Sequence, residues 1–286
     1  MGRITRTARV TRVTRPRAVA TGDGSGVAKQ LDVDTRADSL AVEEPLEIRV
    51  GGRTLASTMR TPGHDVELVH GFLHAEGLIS AAEEVAAARY CAGTGPDGLN
   101  TYNVLDVSLA DATPAPPEAS FRNVAGNSSC GVCGTVAIDD VLARRAAPIS
   151  PVRLDPELVM ELPERLRAEQ RAFKSTGGIH AAGLFTLEGE PLVIREDIGR
   201  HNAADKVIGN RLLAGELPAA DTVLVMSSRA SFELVQKAVL AGIPALVAVS
   251  AATSLAVDLA RESGLFLTGF TRTDRFNLYS GELAAR

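Results

Sequence analysis

The 286-residue chain has no tryptophan, only three cysteines and no long apolar run. A membrane-spanning helix needs roughly 18 or more consecutive apolar residues, so we expect no membrane span. The basic N-terminus is not followed by an apolar segment, which argues against a secretory signal. Three cysteines in a chain of this length do not make a disulfide framework. We therefore predict a cytoplasmic protein whose thiols are reduced.

Nucleotide-binding signatures are missing or out of context. The sequence has no Walker phosphate loop, which disfavours ordinary NTP hydrolysis. Its G-x-G-x-x-G string at residues 93–98 neither follows a predicted strand nor opens a predicted helix, so NAD chemistry is disfavoured as well. The chain is otherwise typical of a globular protein, with 45% hydrophobic and 23% charged residues.

Charge is distributed unevenly along the chain. The net charge is −5, yet residues 1–30 hold seven basic residues against Asp23 alone, which gives +6 there and −11 in the remainder. A nucleic-acid-binding arm is one interpretation of this start. We favour a disordered, solvated leader over residues 1–30, because the segment has little capacity to form a core. The acidic remainder argues against salt-driven binding of nucleic acid.

The first half of the chain predicts a small β-rich subdomain over residues 31–125. Residues 46–50 and 53–59 form a predicted hairpin around the Gly51-Gly52 turn. Asp65 is the predicted N-cap of a helix that Gly77 ends, and a second short helix is expected at 80–88. Residues 102–109 alternate apolar and polar side chains, as a strand does.

The second half predicts an α/β domain that, with the cysteine loop, spans residues 126–286. After helices at 136–145 and 155–171 comes a hairpin over 181–196 and a helix at 198–213. Buried strands are then predicted at 222–227, 244–249 and 265–270, with helices at 232–241 and 255–262 between them. This β-α-β-α-β order indicates a parallel sheet.

Ligands of open α/β sheets bind beyond the carboxyl ends of the parallel strands. Three predicted loops follow those ends here, at 227–231, 250–254 and 270–275. They contain hydroxyl groups, helix N-termini and the arginines Arg229, Arg272 and Arg275. Such groups bind phosphate well, so we predict an anion site at this edge.

The segment 126–135 contains Cys130 and Cys133 in a Cys-x-x-Cys arrangement among Gly, Asn and Ser residues. We predict a surface loop, followed by a helix with Thr135 as its cap. Cysteines ahead of a helix N-terminus are favoured as thiolates. The residues alone leave sulfur transfer, redox chemistry, zinc binding and an inert loop open. They favour sulfur transfer or redox chemistry over zinc, and any of these over an inert loop. Cys91, in an unrelated stretch, is expected to pack.

A second cluster imitates a zinc nucleobase deaminase. His74-Ala75-Glu76 with Cys130-x-x-Cys133 resembles the H-x-E…P-C-x-x-C signature of those enzymes. Ser129 replaces the proline, however, and His74 falls at the end of its predicted helix. We retain the deaminase as the alternative to sulfur transfer, alongside a non-catalytic nucleotide-binding protein.

Residues 173–206 are dense in polar groups. His201 and Asp205 share a helix face at i, i+4, for which a weak surface pair is the simplest interpretation. His180 follows a Gly-Gly turn and is either a proton donor or a buried imidazole. Lys174 and Lys206 either hold anions or are solvated.

From about residue 40 onward the chain resembles the formate dehydrogenase accessory sulfurtransferase family, or FdhD-type proteins. The matching motifs are Thr61-Pro62-Gly63, Gly71-Phe72-Leu73, Glu76-Gly77, Ser129-Cys130-Gly131-Val132-Cys133-Gly134, Thr176-Gly177-Gly178-Ile179-His180, the run from Glu196 to Lys206, Ser228-Arg229, Gly269-Phe270-Thr271-Arg272 and Phe276-Asn277.

The resemblance implies a sulfur carrier. The family accepts persulfide sulfur from an IscS-like cysteine desulfurase and transfers it to the molybdenum cofactor, a bis(molybdopterin guanine dinucleotide), for formate dehydrogenase. It also implies a core similar to the cytidine deaminase fold, a homodimer, and no intrinsic metal.

The same resemblance assigns residue roles. Cys130 would carry the persulfide and Cys133 would assist. The cofactor would be bound by the segment 270–275, that is Phe270, Thr271, Arg272, Thr273, Asp274 and Arg275, together with Ser228, Arg229, His180 and His201.

Overall fold

The structure is a computed structural model that describes residues 4–15, 31–91, 102–122 and 134–285. The predicted cysteine loop, with Cys130 and Cys133, lies outside the described residues. Within the described ranges no helix is long and apolar enough to cross a membrane.

The chain begins with a two-stranded antiparallel ribbon, formed by β1 (Thr5–Thr14) and β2 (Asp32–Ala41). The prediction of a disordered leader is therefore wrong for Thr5–Thr14. These residues alternate threonine and arginine with Ala8, Val10 and Val13, and β-branched residues favour a strand once a partner is available. That partner lies outside the leader, in residues 32–41.

A four-stranded sheet follows, in the order β4-β3-β6-β5. Its strands are β3 (Glu44–Val50), β4 (Arg53–Arg60), β5 (Val85–Tyr90) and β6 (Val104–Leu109). The β3–β4 hairpin is as predicted, with Gly51 and Gly52 both at positive φ (59° and 77°). The short helix predicted at 80–88 is wrong. A single 3₁₀ turn (Ala82–Glu84) leads into β5, which pairs with β6, so tertiary pairing overrides the helix propensity of its alanines.

Helix α1 (Asp65–Ala75) packs on this sheet through Leu68, Val69 and Leu73. The position of Asp65 in the sequence predicts that it is the N-cap, and this prediction is wrong. His64 occupies the N-cap at φ 57°, while the Asp65 carboxylate pairs with the Arg60 guanidinium at 3.0 Å. Both side chains are almost fully buried, so the ion pair uses the carboxylate that the cap would have needed.

The described residues between the two sheets are mainly helical. It contains a 3₁₀ turn (Glu118–Arg122), α2 (Gly134–Arg144), β7 (Arg153–Leu154), α3 (Pro156–Glu169) and α4 (Arg171–Thr176). Thr135 lies within α2 rather than before it. The helix expected at 155–171 divides at Gln170 into α3 and α4. Gly177 ends α4 at φ 66°, which confirms the turn predicted there.

The central sheet has six strands, in the order β13-β12-β11-β10-β8-β9. They are β8 (His180–Thr186), β9 (Pro191–Asp197), β10 (Thr222–Met226), β11 (Ala245–Ala248), β12 (Phe266–Arg272) and β13 (Arg275–Ser280). Strands β10, β11 and β12 are parallel, as predicted, and β8 runs antiparallel to β10. The short strand β14 (Glu282–Leu283) pairs with β7.

Helices cover both faces of this sheet. α5 (Arg200–Leu213), α6 (Phe232–Leu240) and α7 (Ser254–Ser263) lie on one face together with α2, and α3 lies on the other. The mixed α/β class is confirmed. The likeness of this core to the cytidine deaminase fold stays a prediction.

The two sheets are joined where α1 crosses α5 at very short range. A Cβ placed on Gly71 would lie 2.0 Å from the Asp205 carbonyl oxygen, and one on Gly209 would lie 1.8 Å from the Glu67 carbonyl oxygen. Backbone atoms cannot move aside as a flexible side chain can. The crossing therefore requires glycine on both helices.

Gly71→Ala or Gly209→Ala should lower the free energy of unfolding by about 3 kcal/mol, because the helices must separate and the overpacked crossing is strained. Urea denaturation of the purified protein measures this. Gly178→Ala is the matched control, since its Cβ would meet nothing closer than 3.9 Å. Equal urea midpoints for Gly71→Ala, Gly209→Ala and Gly178→Ala would contradict the close crossing of α1 and α5.

Candidate functional site

The loops after β10, β11 and β12 meet at one edge of the central sheet. The Ala230 amide donates to the Ala251 carbonyl and the Thr253 amide donates to the Ala230 carbonyl, both at 3.0 Å. The Phe270 amide donates to the Ser250 carbonyl, also at 3.0 Å. These bonds confirm the convergence that the β-α-β-α-β order predicts.

His180 joins the same edge because β8 runs antiparallel to β10 and therefore begins where β10 ends. The Ala181 amide donates to Ser227 Oγ at 2.9 Å, and Ser227 Oγ lies 3.5 Å from His180 Nδ1. Burial lowers the pKa of His180, and the positive charges of Arg200 and His201 lower it further. The imidazole is thus held in its neutral form.

A cleft of about 680 Å³ lies between this edge and the α3–α4 segment. Its polar lining includes Arg167, Gln170, His180, Ser227, Arg272 and Thr273. Pro163, Leu166 and Phe173 supply apolar walls. A pocket of this size, partly enclosed and with a few polar groups, is typical of a small-molecule site.

The segment 270–272 has a special backbone. Phe270 adopts φ 52°, the left-handed region that an aromatic residue rarely occupies, and its side chain is 44% exposed. Thr271 is fully buried, with its Oγ1 3.1 Å from Thr268 Oγ1. Arg272 donates to the Thr271 carbonyl at 2.9 Å. Phe270 does not itself line the cleft, but its neighbours Thr271 and Arg272 do, and strained backbone of this kind clusters at functional sites.

Other predicted residues lie near the cleft without lining it. Asp274 and Arg275 form an exposed ion pair of 3.6 Å beyond the end of β12. Ser228 is buried, and its hydroxyl donates to the Arg229 carbonyl at 3.0 Å.

His201 and Arg229 lie on the α5–α6 side of the edge. His201 Nε2 is 2.8 Å from Glu233 Oε2 and 3.3 Å from Ser231 Oγ, which links the first turns of α5 and α6. The hydrogen bond from His201 lowers the pKa of Glu233. Arg200 is adjacent: burial lowers the pKa of its guanidinium, and the charge of Arg229 adds to that effect. The Arg200 Nε atom is buried without a hydrogen-bond partner.

Two expectations for this region need correction, those for the His201–Asp205 pair and for Lys206. His201 does not form the predicted surface pair with Asp205, because Asp205 is buried and binds Lys237 Nζ at 2.6 Å. Burial raises the pKa of Asp205 against the opposing charge of Lys237. Lys206 does not hold an external anion, since it is buried against Asp197. Lys174 donates to the Ala168 carbonyl at the surface.

Asp197 accepts four hydrogen bonds and is fully buried. Its Oδ2 accepts from Lys206 Nζ at 2.6 Å and from the Thr61 amide at 3.1 Å. Its Oδ1 accepts from the Gly199 amide at 2.8 Å and from Asn202 Nδ2 at 3.1 Å. One carboxylate therefore ties the Thr61-Pro62-Gly63 loop to the start of α5.

The zinc alternative is not supported. No group of three or more His, Cys, Asp or Glu side chains is placed to hold a metal ion among the residues that the structure describes. His74 is half-buried at the end of α1. Burial lowers its pKa to about 4, and the charges of Lys237 and Arg144 contribute to the shift. Two nearby cations disfavour a divalent metal at this histidine.

Sequence reasoning missed several residues of the site. Arg200 stands within the matched run 196–206 but was not assigned a role. The helix is interrupted at Gln170, between α3 and α4, and this interruption brings three further residues to the cleft: Arg167, Gln170 and Phe173. The helical pattern of 155–171 gave no signal of that break.

The fold and the site define an α/β protein with a cationic, partly enclosed cleft beyond the carboxyl ends of its parallel strands. The model of the FdhD/NarQ family matches residues 41–285, and the chain belongs to this family.

Similar proteins extend over nearly the whole chain. A relative from Corynebacterium efficiens, called sulfur carrier protein FdhD, is 57% identical over 99% of this chain and 100% of its own length. A relative of the same name from Nocardia farcinica is 58% identical over 86% of this chain and 88% of its own. A crystal structure from Desulfotalea psychrophila, of a protein assigned as a formate dehydrogenase accessory protein, has a TM-score of 0.68. It covers 96% of this chain and 97% of its own at 23% identity, and so shows a shared fold.

A second tie fixes α1 against the central sheet near the Thr61 loop. Glu67 accepts from Arg195 Nε at 2.6 Å and from Arg195 Nη2 at 2.7 Å, and from Asn210 Nδ2 at 2.9 Å. Burial alone would raise the pKa of Glu67. The hydrogen bonds from Arg195, His64 and Asn210 outweigh burial and lower the pKa to about 2.

Because the folded-state pKa of Glu67 is depressed, its stabilisation is complete above the ordinary pKa of 4.5 and is lost as the pH falls toward 2. Glu67→Gln should lower the free energy of unfolding at pH 6. At pH 3 the difference in this free energy between wild type and the variant should be smaller by about 2 kcal/mol. Urea titrations at both pH values measure this. Glu164→Gln, which alters an exposed ion pair, is the control and should follow wild type at both. If the variant were less stable than wild type by the same amount at both pH values, the depressed pKa of Glu67 would not contribute to stability as stated.

Proposed function

We propose that this protein is a sulfur carrier that accepts persulfide sulfur from a cysteine desulfurase and transfers it to the molybdenum cofactor destined for formate dehydrogenase. The observation that carries the proposal is membership of the FdhD/NarQ family, together with the Cys130-x-x-Cys133 motif. The cationic cleft supports an anionic cargo. Cytoplasmic location and homodimerisation are part of the same proposal, as is a core similar to the cytidine deaminase fold.

Cys130 is the proposed acceptor. Its thiolate attacks the outer sulfur of the desulfurase persulfide, which forms a new S–S bond on Cys130 and releases the donor cysteine as a thiolate. No net oxidation occurs in this step. Delivery as sulfide needs two electrons, and Cys133 supplies them. Its thiolate attacks Cys130 Sγ, forms the Cys130–Cys133 disulfide and expels the outer sulfur as hydrosulfide. A cellular dithiol reductant then restores both thiols.

The cargo is the proposed ligand of the cleft. The guanine dinucleotide part of the cofactor carries pyrophosphate groups, which Arg272, Arg229 and neighbouring helix N-termini are suited to bind. Asp274, at the hairpin turn between β12 and β13, is the proposed partner of the guanine edge. The exposed Phe270 ring offers a face for the base. His180 and His201 border the same edge.

Incubation with a cysteine desulfurase and cysteine should add one sulfur atom to the peptide that contains Cys130, as measured by mass spectrometry of the intact protein and its peptides. Cys130→Ala should abolish the gain, because no acceptor thiolate remains. Cys91→Ala should load as wild type does. In cells that carry Cys130→Ala, formate dehydrogenase should assemble without activity. Loading of Cys130→Ala at the wild-type level, or full dehydrogenase activity, would show that another residue accepts sulfur.

Arg272→Ala should weaken the binding of GDP, used as a probe for the dinucleotide part of the cofactor. Loss of a charge-assisted hydrogen bond costs about 1.5–3 kcal/mol, or roughly tenfold to a hundredfold in Kd. Isothermal titration calorimetry measures the change. Arg261→Ala removes the same charge from the last turn of α7 and should leave the Kd unchanged. Equal affinities of wild type and Arg272→Ala for GDP would show that GDP binds elsewhere than in the cleft.

A further inference from the structure

The two walls of the cleft differ in chemistry. The carboxyl edge of the sheet contributes Arg272 and Thr273, which suit phosphate groups. The α3–α4 wall is largely apolar, and its charged residues Glu164 and Arg167 are exposed and form an ion pair of 3.7 Å with each other. Another polar side chain of that wall is Gln170, which is only 4% exposed. A buried amide beside apolar groups suits a nucleobase better than a phosphate.

Gln170 is held in place by its own backbone. It forms the break between α3 and α4, with φ −74° and ψ 82°. Its amide donates to the Arg167 carbonyl at 3.3 Å, and its carbonyl accepts from the Lys174 amide at 3.1 Å. Because the backbone is anchored to both helices, the side chain projects from a fixed position on the cleft wall.

The side chain of Gln170 has no structural role in capping. Gln170 precedes the first turn of α4, where a side chain usually accepts from free helix amides, but it makes no such bond. The Glu196 carboxylate accepts instead from the amides of Ala172 and Phe173, both at 2.8 Å. Among the residues that the structure describes, none forms a hydrogen bond with the Gln170 carboxamide. Its donor and its acceptor are therefore available to a molecule in the cleft.

We propose that Gln170 is a specificity-determining residue that reads a guanine base of the cargo, with Phe173 against the face of the base. A carboxamide carries a donor and an acceptor side by side. Guanine presents the acceptor O6 beside the donor N1–H, so Gln170 Nε2 donates to O6 and Oε1 accepts from N1–H. Phe173 lines the cleft, and an aromatic ring stacks on any nucleobase.

The inference rests on the proposed function, since it takes the guanine dinucleotide cargo as the ligand of the cleft. Asp274 is not among the residues that line the cleft, so a base that enters the cleft needs a different reader. The cargo carries two guanines. The contact with Gln170 is therefore additional to the one proposed for Asp274.

The test compares two nucleotides on the full chain by isothermal titration calorimetry. One is GDP, and the other is 2-aminopurine riboside 5′-diphosphate, which keeps the pyrophosphate but lacks O6 and N1–H. Wild type should bind GDP about tenfold more tightly. Gln170→Met removes both hydrogen-bonding atoms at nearly the same side-chain length, and should bind the two nucleotides within about twofold of each other. A purely structural role would weaken both nucleotides and leave the ratio of their Kd values unchanged.

Gln236→Met is the matched control, because it makes the same change on α6, outside the cleft lining, and should keep the wild-type ratio. A second measurement needs no change at Gln170. The chain has three glutamines, so after [15N]glutamine labelling the side-chain amide signals can be assigned from Gln30→Met and Gln236→Met. GDP should shift the Gln170 signal and leave the Gln236 signal in place.

A wild-type ratio in Gln170→Met would overturn the inference, as would a Gln170 amide signal that does not respond to GDP. Loss of the ratio in Asp274→Asn but not in Gln170→Met would place this base at Asp274 instead. If Arg272→Ala weakens GDP binding while Gln170→Met changes nothing, the inference fails and the proposed cleft ligand stands. If wild type does not bind GDP, both fail, and sulfur loading of Cys130 then decides separately whether the protein is a sulfur carrier.

Discussion

The fully buried ion pair between Asp197 and Lys206 is the interaction on which the rest of the structure depends. Two charges removed from water are costly unless every remaining hydrogen-bonding position is filled. Here Asp197 also binds the amides of Thr61 and Gly199, and Lys206 also donates to the Thr61 carbonyl at 2.9 Å. The ion pair is therefore stable only when the Thr61-Pro62-Gly63 loop and α5 are both in place. We call this connection between the loop and α5 the Asp197 joint, and its geometry is specific for that reason.

That joint determines the position of the site. Asp197 ends β9, and α5 begins three residues later with Arg200 and His201. Asn202 adds a second link, because its amide donates to the Met59 carbonyl at 2.8 Å. Further along α5, Gly209 allows the backbone of α1 to approach. The helix is thus held along much of its length by β4, the Thr61 loop and α1, while its first turn faces the carboxyl edge of the central sheet.

The sequence predicted regular features well because they depend on local patterns. The buried runs at 222–227 and 244–249 could only be strands of a covered sheet, and their order placed three loops at one edge. The errors concern polar residues with two possible partners. Asp65, Asp205 and Lys206 each had a plausible local role, as a cap, a surface pair or an anion ligand. Each instead forms a buried ion pair, two of them with residues 9 and 32 positions away in the chain.

The ribbon shows the same limit in another form. Thr5–Thr14 has too few apolar residues to form a core, which led to the prediction of disorder. A strand does not need a core if its backbone is paired, and the pairing partner at Asp32–Ala41 has no distinctive pattern of its own. Ladder pairing between two polar segments leaves almost no signature in composition.

The electrostatics of the edge follow from these ties. Arg200, Arg229 and His201 are mutually repelling groups when charged, and burial of Arg200 adds to the cost of assembling them. Glu233 offsets them through its contact with His201. Cations held close together by a rigid scaffold lose their repulsion when an anion binds between them. The Asp197 joint therefore holds Arg200, Arg229 and His201 close together at this edge, an arrangement that favours the anionic ligand proposed above.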